Sequence, residues 1–168
     1  SRGLGDVYKR QPRRVLQRQI ARASTMGLEY RTGVEAEFFL LDAEGEGVAD
    51  RLDRQRKPCY DQRALMRHYP LVSGLLEAME SMGWGPYQAD HEDANGQFEL
   101  NWTFSDALTT ADRHALFRVM AATYAEREGL CASFDPKPLP DRTGNGCHLH
   151  CSLWSDSGQN LFHDADGP

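Results

Sequence analysis

Four carboxylates and two imidazoles stand in short, strand-like stretches of this chain. Glu35 and Glu37 lie in Val34-Glu35-Ala36-Glu37-Phe38, Glu92 and Glu99 bracket Asp93-Ala94-Asn95-Gly96-Gln97-Phe98, and His148 and His150 lie in Cys147-His148-Leu149-His150. Oxygen-rich donor sets with one or two imidazoles suit hard divalent cations such as Mg²⁺ or Mn²⁺ better than zinc or iron–sulfur centres. Several such ions held together most often serve phosphoryl chemistry. Side chains alternate across a strand, so Glu35 and Glu37 share one face and Val34, Ala36 and Phe38 the other. Two carboxylates so placed repel each other unless solvent or a cation lies between them. Taken alone, the pair is read first as a solvated strand face, because Glu-x-Glu is common. Glu92 precedes an Asn-Gly turn, and chain reversal there brings it towards Glu99. Gln97, Glu99 and Asn101 share a face, while Phe98, Leu100 and Trp102 read as core.

His148, His150, Ser152 and Trp154 alternate with Cys147, Leu149, Cys151 and Leu153. The first set reads as a polar row facing a site, the second as an apolar row facing a core. The thiols then point away from the imidazoles, against a zinc site built on Cys-His-Leu-His-Cys, which needs three or four converging N/S ligands. The preceding Thr143-Gly144-Asn145-Gly146 loop offers backbone N–H and C=O groups to a ligand. It is no dinucleotide fingerprint, because no helix follows it. His68, His91, His114 and His163 read as surface or structural, with a supporting role beside Glu92 as the minor alternative for His91.

The elements that position these groups follow from periodicity and punctuation. A helix is expected over 12–26, with Pro12 at its start and Val15, Leu16, Ile20 and Ala23 as an apolar stripe. A strand is expected over 28–41, a turn over 42–47 and a polar, basic loop over 48–60. An amphipathic helix over 71–82 uses Leu71, Val72, Leu75, Leu76, Met79 and Met82 and stops at Gly83. Strands over 84–90 and 96–104 flank the Asn-Gly turn. A long helix starts at Ser105 and ends at Gly129. A short strand over 130–134, a Pro/Gly loop over 136–146, a strand over 147–154 and a turn at 156–158 complete the chain. Strands and helices in no βαβ rhythm predict an α+β fold with a mainly antiparallel sheet.

The 168 residues suffice for one domain with a core, and 40% hydrophobic with 26% charged residues is ordinary for a globular protein. The net charge of −6 does not favour nucleic acid or an anionic membrane. Bound metal ions can still invert the local field for a nucleotide. No apolar run is long enough to span a bilayer, and the start does not read as a secretory signal. Four cysteines are too few for a disulfide scaffold, which points to a reducing cytoplasm. Residues 1–11 look like a translated sequencing-adapter scar and receive no functional weight. The turn composition of Asp164-Ala165-Asp166-Gly167-Pro168 leads us to expect a piece of a longer enzyme.

Taken in order, these segments resemble the catalytic domain of the glutamine synthetase family. The resemblance runs from about Gly33 to Trp154. It rests on Gly33-Val34-Glu35-Ala36-Glu37-Phe38-Phe39-Leu40, on His91-Glu92 through Gly96-Gln97-Phe98-Glu99, and on Lys137-Pro138 followed by Gly144-Asn145-Gly146-Cys147-His148-Leu149-His150-Cys151-Ser152. It implies a glutamine synthetase/guanido kinase-like catalytic fold. Glu37, Glu92 and Glu99 would hold one Mg²⁺ or Mn²⁺, and Glu35 and His148 would help hold a second. His150 and Ser152 would meet ATP, Phe104 would lie near the nucleotide, and Thr143 and Gly144 would contact glutamate. The implied reaction is attack of the glutamate γ-carboxylate on the ATP γ-phosphate, then aminolysis of the acyl phosphate by ammonia or an amine. Cations are needed because two anions must meet in line.

Asp93, Asn95, Thr143 and Tyr87 depart from the residues commonest in the family. The His-Glu-Asp-Ala-Asn-Gly-Gln-Phe-Glu version looks most like the glutamate–methylamine ligase, or type III glutamine synthetase, branch. That favours methylamine as acceptor, with an ammonia-specific synthetase or a γ-glutamylpolyamine synthetase as alternatives. A non-catalytic structural relative and a zinc protein built on His148 and His150 are rival readings. Residues 12–168 are expected to be a truncated catalytic domain, without the family's amino-terminal β-grasp domain and the carboxy-terminal part. The fragment is expected to be inactive, and its full-length parent a homo-oligomer.

Overall fold

The computed structural model describes residues 10–164 and 167, so most of the scar-like segment lies outside the described residues. The elements in chain order are α1 (Pro12–Ser24), β1 (Leu28–Leu41), α2 (Gln62–Arg67), α3 (Tyr69–Ser81), β2 (Pro86–His91), β3 (Gln97–Trp102), β4 (Ser105–Asp106), α4 (Ala107–Arg127), β5 (Cys131–Ser133) and β6 (Cys147–Ser155). Strand order is β2-β3-β1-β4, with β5 and β6 also pairing with β1. The β1–β3, β1–β4, β1–β5 and β2–β3 pairings are antiparallel. The fold is α+β, as the sequence pattern predicts.

The chain divides into two compact units, one of 34–103 and 114–148, the other of 1–33, 104–113 and 149–168. The first contains the main core. Val34, Ala36, Phe38 and Leu40 of β1 and Phe98, Leu100 and Trp102 of β3 bury one sheet face against Leu71, Val72, Leu75 and Met79 of α3 and Phe117, Ala121 and Ala125 of α4. The Phe38 ring lies 5.4 Å from Phe134, 5.9 Å from Phe117 and 6.2 Å from Phe98. Burying each large side chain here stabilises the fold by about 1.5–3 kcal/mol. On the opposite face Phe39, Leu41 and Ala94 form a smaller cluster with Cys131 and Leu139. The face that bears Glu35 and Glu37 is therefore closed at one end by apolar packing.

The β2–β3 turn depends on Gly96, whose φ of +77° suits glycine. A Cβ there would also stand 2.6 Å from Val48 Cγ1. Helix α3 stops as expected, with Gly83 N donating to Glu80 O. Helix α2, absent from the sequence reading, is capped by Asp61, whose side chain accepts from Arg63 N.

In the other unit, Arg31 and Thr32 of β1 pair with Asp106 and Ser105. Ser105 is thus a bridge residue and not the helix start. Asp106 caps α4 instead, its Oδ1 accepting from Leu108 N and Thr109 N. The stripe on α1 is only partly covered, with no residue of that helix buried and Val15 40% exposed. The predicted apolar row of β6 does not face a core. Cys147 and Cys151 are exposed and Leu149 is 59% exposed, since the elements among the described residues leave this row uncovered. All four cysteines are free thiols. Among the described residues no helix is long and apolar enough to cross a membrane.

Candidate functional site

The β1–β3 register sets Glu37 directly across from Glu99 and Glu35 across from Asn101. Like charges directly opposite on neighbouring strands are destabilising. Glu92 directly follows β2, its N–H donating to Gln97 O, so the hairpin brings it to the same group. Burial, then the charges of Glu99 and Glu37, push the Glu92 carboxyl up to about 7. Burial also raises Glu99, with Glu35, Glu37 and Asp90 adding to the rise against a stabilising bond from Asn101. Asn101 Nδ2 donates to Glu99 Oε1 at 2.8 Å, while its own Oδ1 is buried and has no partner.

His148 Nδ1 lies 2.6 Å from Glu35 Oε2. That hydrogen bond, and then the Glu35 charge, raises the imidazole above its usual value. Glu37 is held from the other side, because its Oε2 accepts from Gln97 Nε2 at 2.8 Å and Gly146 N at 2.9 Å. Gly146 comes so close that a Cβ there would stand 2.6 Å from Glu37 Oε1. Gln97, fully buried, also donates to Gly144 O at 3.0 Å and Asn145 Oδ1 at 3.1 Å. The Gly144 C=O and the Gly146 N–H are therefore bonded within the protein, contrary to the expectation that they stand open to a ligand. Thr143 remains exposed.

Glu37 and Glu99 thus act electrostatically on both Glu92 and His148, and Glu35 on Glu99 and His148. Among the described residues, no three His, Cys, Asp or Glu side chains are drawn tightly enough together to hold an ion as they stand. The donor chemistry nevertheless fits a hard divalent cation. The charged neighbours that act most on Glu92 and Glu99 are carboxylates, and a dication offsets that repulsion.

Behind the turn lies a network that sequence reasoning missed. Asp53 accepts from His91 Nε2 at 2.7 Å, Asn95 Nδ2 at 2.9 Å and Gly96 N at 2.6 Å. His91 is 1% exposed and Asp53 6%. His91 Nδ1 meets Glu92 O at 2.9 Å, so this imidazole supports the site from the core and does not stand on the surface. His68 and His114 each carry a buried ring nitrogen without a partner, whereas His163 is exposed as expected.

In the other unit, a cavity of about 380 Å³ is lined by Arg31, Gly33, Phe104, His150, Ser152 and Trp154, with three neighbouring residues. The Phe104 and Trp154 rings stack at 6.1 Å with 23° between their planes. The Arg31 guanidinium lies 4.2 Å from the Trp154 ring centroid. It is held by a bidentate pair to Glu29 at 2.8 and 2.9 Å. Trp154 Nε1 donates to Ser152 Oγ at 2.8 Å, fixing the hydroxyl. Flat aromatic faces beside a guanidinium suit a planar, anionic ligand. Phe104, His150 and Ser152, expected near a nucleotide, all line this cavity. The stacking of Phe104 and Arg31 on Trp154 was not legible in the sequence, since it joins residues far apart in the chain.

Residues 9–168 match the family profile of the glutamine synthetase catalytic domain. A glutamine synthetase of Rhizobium leguminosarum bv. phaseoli is 51% identical over 92% of this chain and 36% of its own length. A glutamate–methylamine ligase of Methyloversatilis universalis is 44% identical over 95% of this chain and 36% of its own. Among solved structures, a GmaS/ADP complex superposes with a TM-score of 0.91 at 52% identity, covering 93% of this chain and 36% of that one. The chain therefore spans little more than a third of the length of these relatives.

Proposed function

The chain belongs to the glutamine synthetase family, as part of its catalytic domain, and on that footing we propose that its full-length parent is an ATP-dependent carboxylate–amine ligase. The observation that carries this reading is the stacking of like charge across β1 and β3. Glu37 faces Glu99, and Glu92 beside them is pushed up to about 7. A sheet face so built is unfavourable until cations bind, and ATP-dependent activation of a carboxylate needs such cations.

In this reading Glu37, Glu92 and Glu99 hold one Mg²⁺ or Mn²⁺, and Glu35 with His148 helps hold a second. The bound ions would supply charge neutralisation between the two reacting anions. Gln97 and Gly146 N fix the Glu37 carboxylate by bonding its Oε2, and Oε1 would serve the cation. Asn101 orients Glu99 in the same way. Phe104 and Trp154 stack against the adenine, with Arg31 offsetting nucleotide charge and His150 and Ser152 nearby. Thr143 and Gly144 meet glutamate. A glutamate γ-carboxylate oxygen forms a bond to the ATP γ-phosphorus as the bond to ADP breaks. The amine nitrogen then bonds to the acyl carbon, phosphate leaves, and the nitrogen loses a proton.

Methylamine is the favoured acceptor, supported by the 44% identical glutamate–methylamine ligase and the GmaS structure. The 51% identical Rhizobium enzyme named glutamine synthetase supports ammonia as the second reading. The test is glutamate-dependent phosphate release from ATP by the full-length parent, with ammonia, methylamine and ethylamine in parallel. We expect the largest stimulation with methylamine, and its loss in Glu37→Ala. A clear ammonia preference overturns the acceptor, and no stimulation by any amine overturns the ligase.

A further inference from the structure

The exposed Thr143 lies between two anchors, and both belong to the three-residue segment Asn95-Gly96-Gln97. On one side, Arg142 Nη1 donates to Asn95 Oδ1 at 2.5 Å. On the other, Gln97 Nε2 donates to Gly144 O and Asn145 Oδ1. The Asn95 amide is not free to turn. Its Nδ2 donates to Asp53 Oδ1 at 2.9 Å and Gln55 O at 3.1 Å, so a flip would set its oxygen against a carboxylate and a carbonyl, and its NH₂ against a guanidinium. The residue is 8% exposed. The loop is braced within itself by Lys137 Nζ to Arg142 O and by Asn145 N to Pro136 O. Arg142 makes only a loose 3.7 Å ion pair with Asp141, which is 78% exposed, so Asn95 is its well-formed partner across the fold.

We infer that Asn95 is a positioning residue. Pinned by Asp53 and pinning Arg142, it makes the turn that joins Glu92 to Glu99 and the 136–146 loop move as one body, and so sets where Thr143 meets substrate. The inference rests on the reading that Thr143 and Gly144 receive glutamate. Asn95 touches no reacting group. Its effect passes through Arg142 to the loop, and through Gly96 and the Asp53 clip to the acidic turn.

The test uses the full-length parent with Asn95→Ala, Arg142→Ala, Arg142→Lys and the Asn95→Ala/Arg142→Ala double variant. Either alanine variant should raise the glutamate KM about tenfold, the size of one lost charge-assisted hydrogen bond, with kcat and the ATP KM changed less than about threefold. The double variant should be no worse than the worse single, because both remove the same link. Lysine at 142 keeps one donor and should recover most of the loss. Multiplying effects, or a fall in kcat with the glutamate KM unchanged, overturn the coupling. Amide exchange of Asn145 and Gly146 gives a readout independent of turnover, and it should be faster in Asn95→Ala than in wild type. Unchanged exchange sinks the inference. A wild-type parent that releases no phosphate with any amine sinks the ligase instead, and exchange still decides the link.

Discussion

Replacing Asp53 by alanine removes the acceptor that three buried donors share. His91 Nε2, Asn95 Nδ2 and Gly96 N would all lose their partner, and His91 would keep a buried ring with no counter-charge. An unmet buried donor costs about 1–3 kcal/mol, and breaking a buried charged pair from one side about 3–5 kcal/mol. These penalties overlap, so the expected loss for the chain is about 3–5 kcal/mol. With an m-value of about 1–3 kcal/mol/M, that moves the urea midpoint by more than about 1 M. Asp53→Asn keeps the shape and part of the bonding and should lose about half as much.

The pH dependence of this penalty has a definite sign. Burial alone would raise the Asp53 carboxyl, but the bonds from His91, Asn95 and Gly96 bring it below its usual value. Burial alone would lower His91, but Asp53 carries it above. The carboxylate contributes stability above its unfolded value of about 3.9, and that contribution is lost as pH falls through the depressed folded value. The imidazolium contributes fully below about 6.5, and that contribution is lost as pH rises through the raised folded value. The pair is therefore worth most between about pH 4 and 6.5. Urea titrations of wild type and Asp53→Ala at about pH 5.5 and about pH 9 should show the larger difference at the lower pH. A loss under about 1 kcal/mol, or the same loss at both pH values, would refute the reasoning.

Two further outcomes bear on the acidic face. Gly146→Ala drives a Cβ into Glu37 Oε1, so phosphate release by the full-length parent should fall about 100-fold through a displaced carboxylate; wild-type turnover would show that Glu37 need not sit where Gly146 holds it. A cation must displace the proton that Glu92 binds up to about pH 7. Mn²⁺ affinity, measured by calorimetry on the parent, should therefore weaken as pH falls below about 7, by up to about tenfold per pH unit for each proton displaced, with the raised His148 adding to the fall, and a flat profile would remove Glu92 from the ligand set.

The strands were legible because alternation is a strong signal where one face is core. β1 runs over the predicted Leu28–Leu41, and Phe98, Leu100 and Trp102 of β3 are buried as expected. The same alternation misled on two counts. Gln97, Glu99 and Asn101, on the polar face of β3, are buried as well, and the apolar row of β6 is exposed. Period shows which residues share a face but not what covers it. Helix α2 was invisible because six residues give less than two turns of pattern. Asp53 lay in the basic run Arg51-Leu52-Asp53-Arg54, where nothing local marks a buried acid. Its partners are 38 to 43 residues away, and only the fold brings them to it.

That buried polar face connects the stability of the fold to its chemistry. Gln97 spends one side chain on Ala94 N, Glu37, Gly144 and Asn145, so a fully buried amide ties three segments to one carboxylate. Such a network is favourable only when nearly every group is met. Here most groups are, and the one unmet atom on this face stands beside the acids. Asn101 Oδ1 lacks a donor, and Glu92 and Glu99 are held against their charge, all on β3 or in the turn before it. A fold selected only for stability would not set Glu37 across from Glu99 with Glu92 beside them. The Asp53 clip on one side and Gln97 on the other keep that arrangement from relaxing. The rigidity of the turn is thus what allows the unfavourable charge to persist until something positive occupies the face.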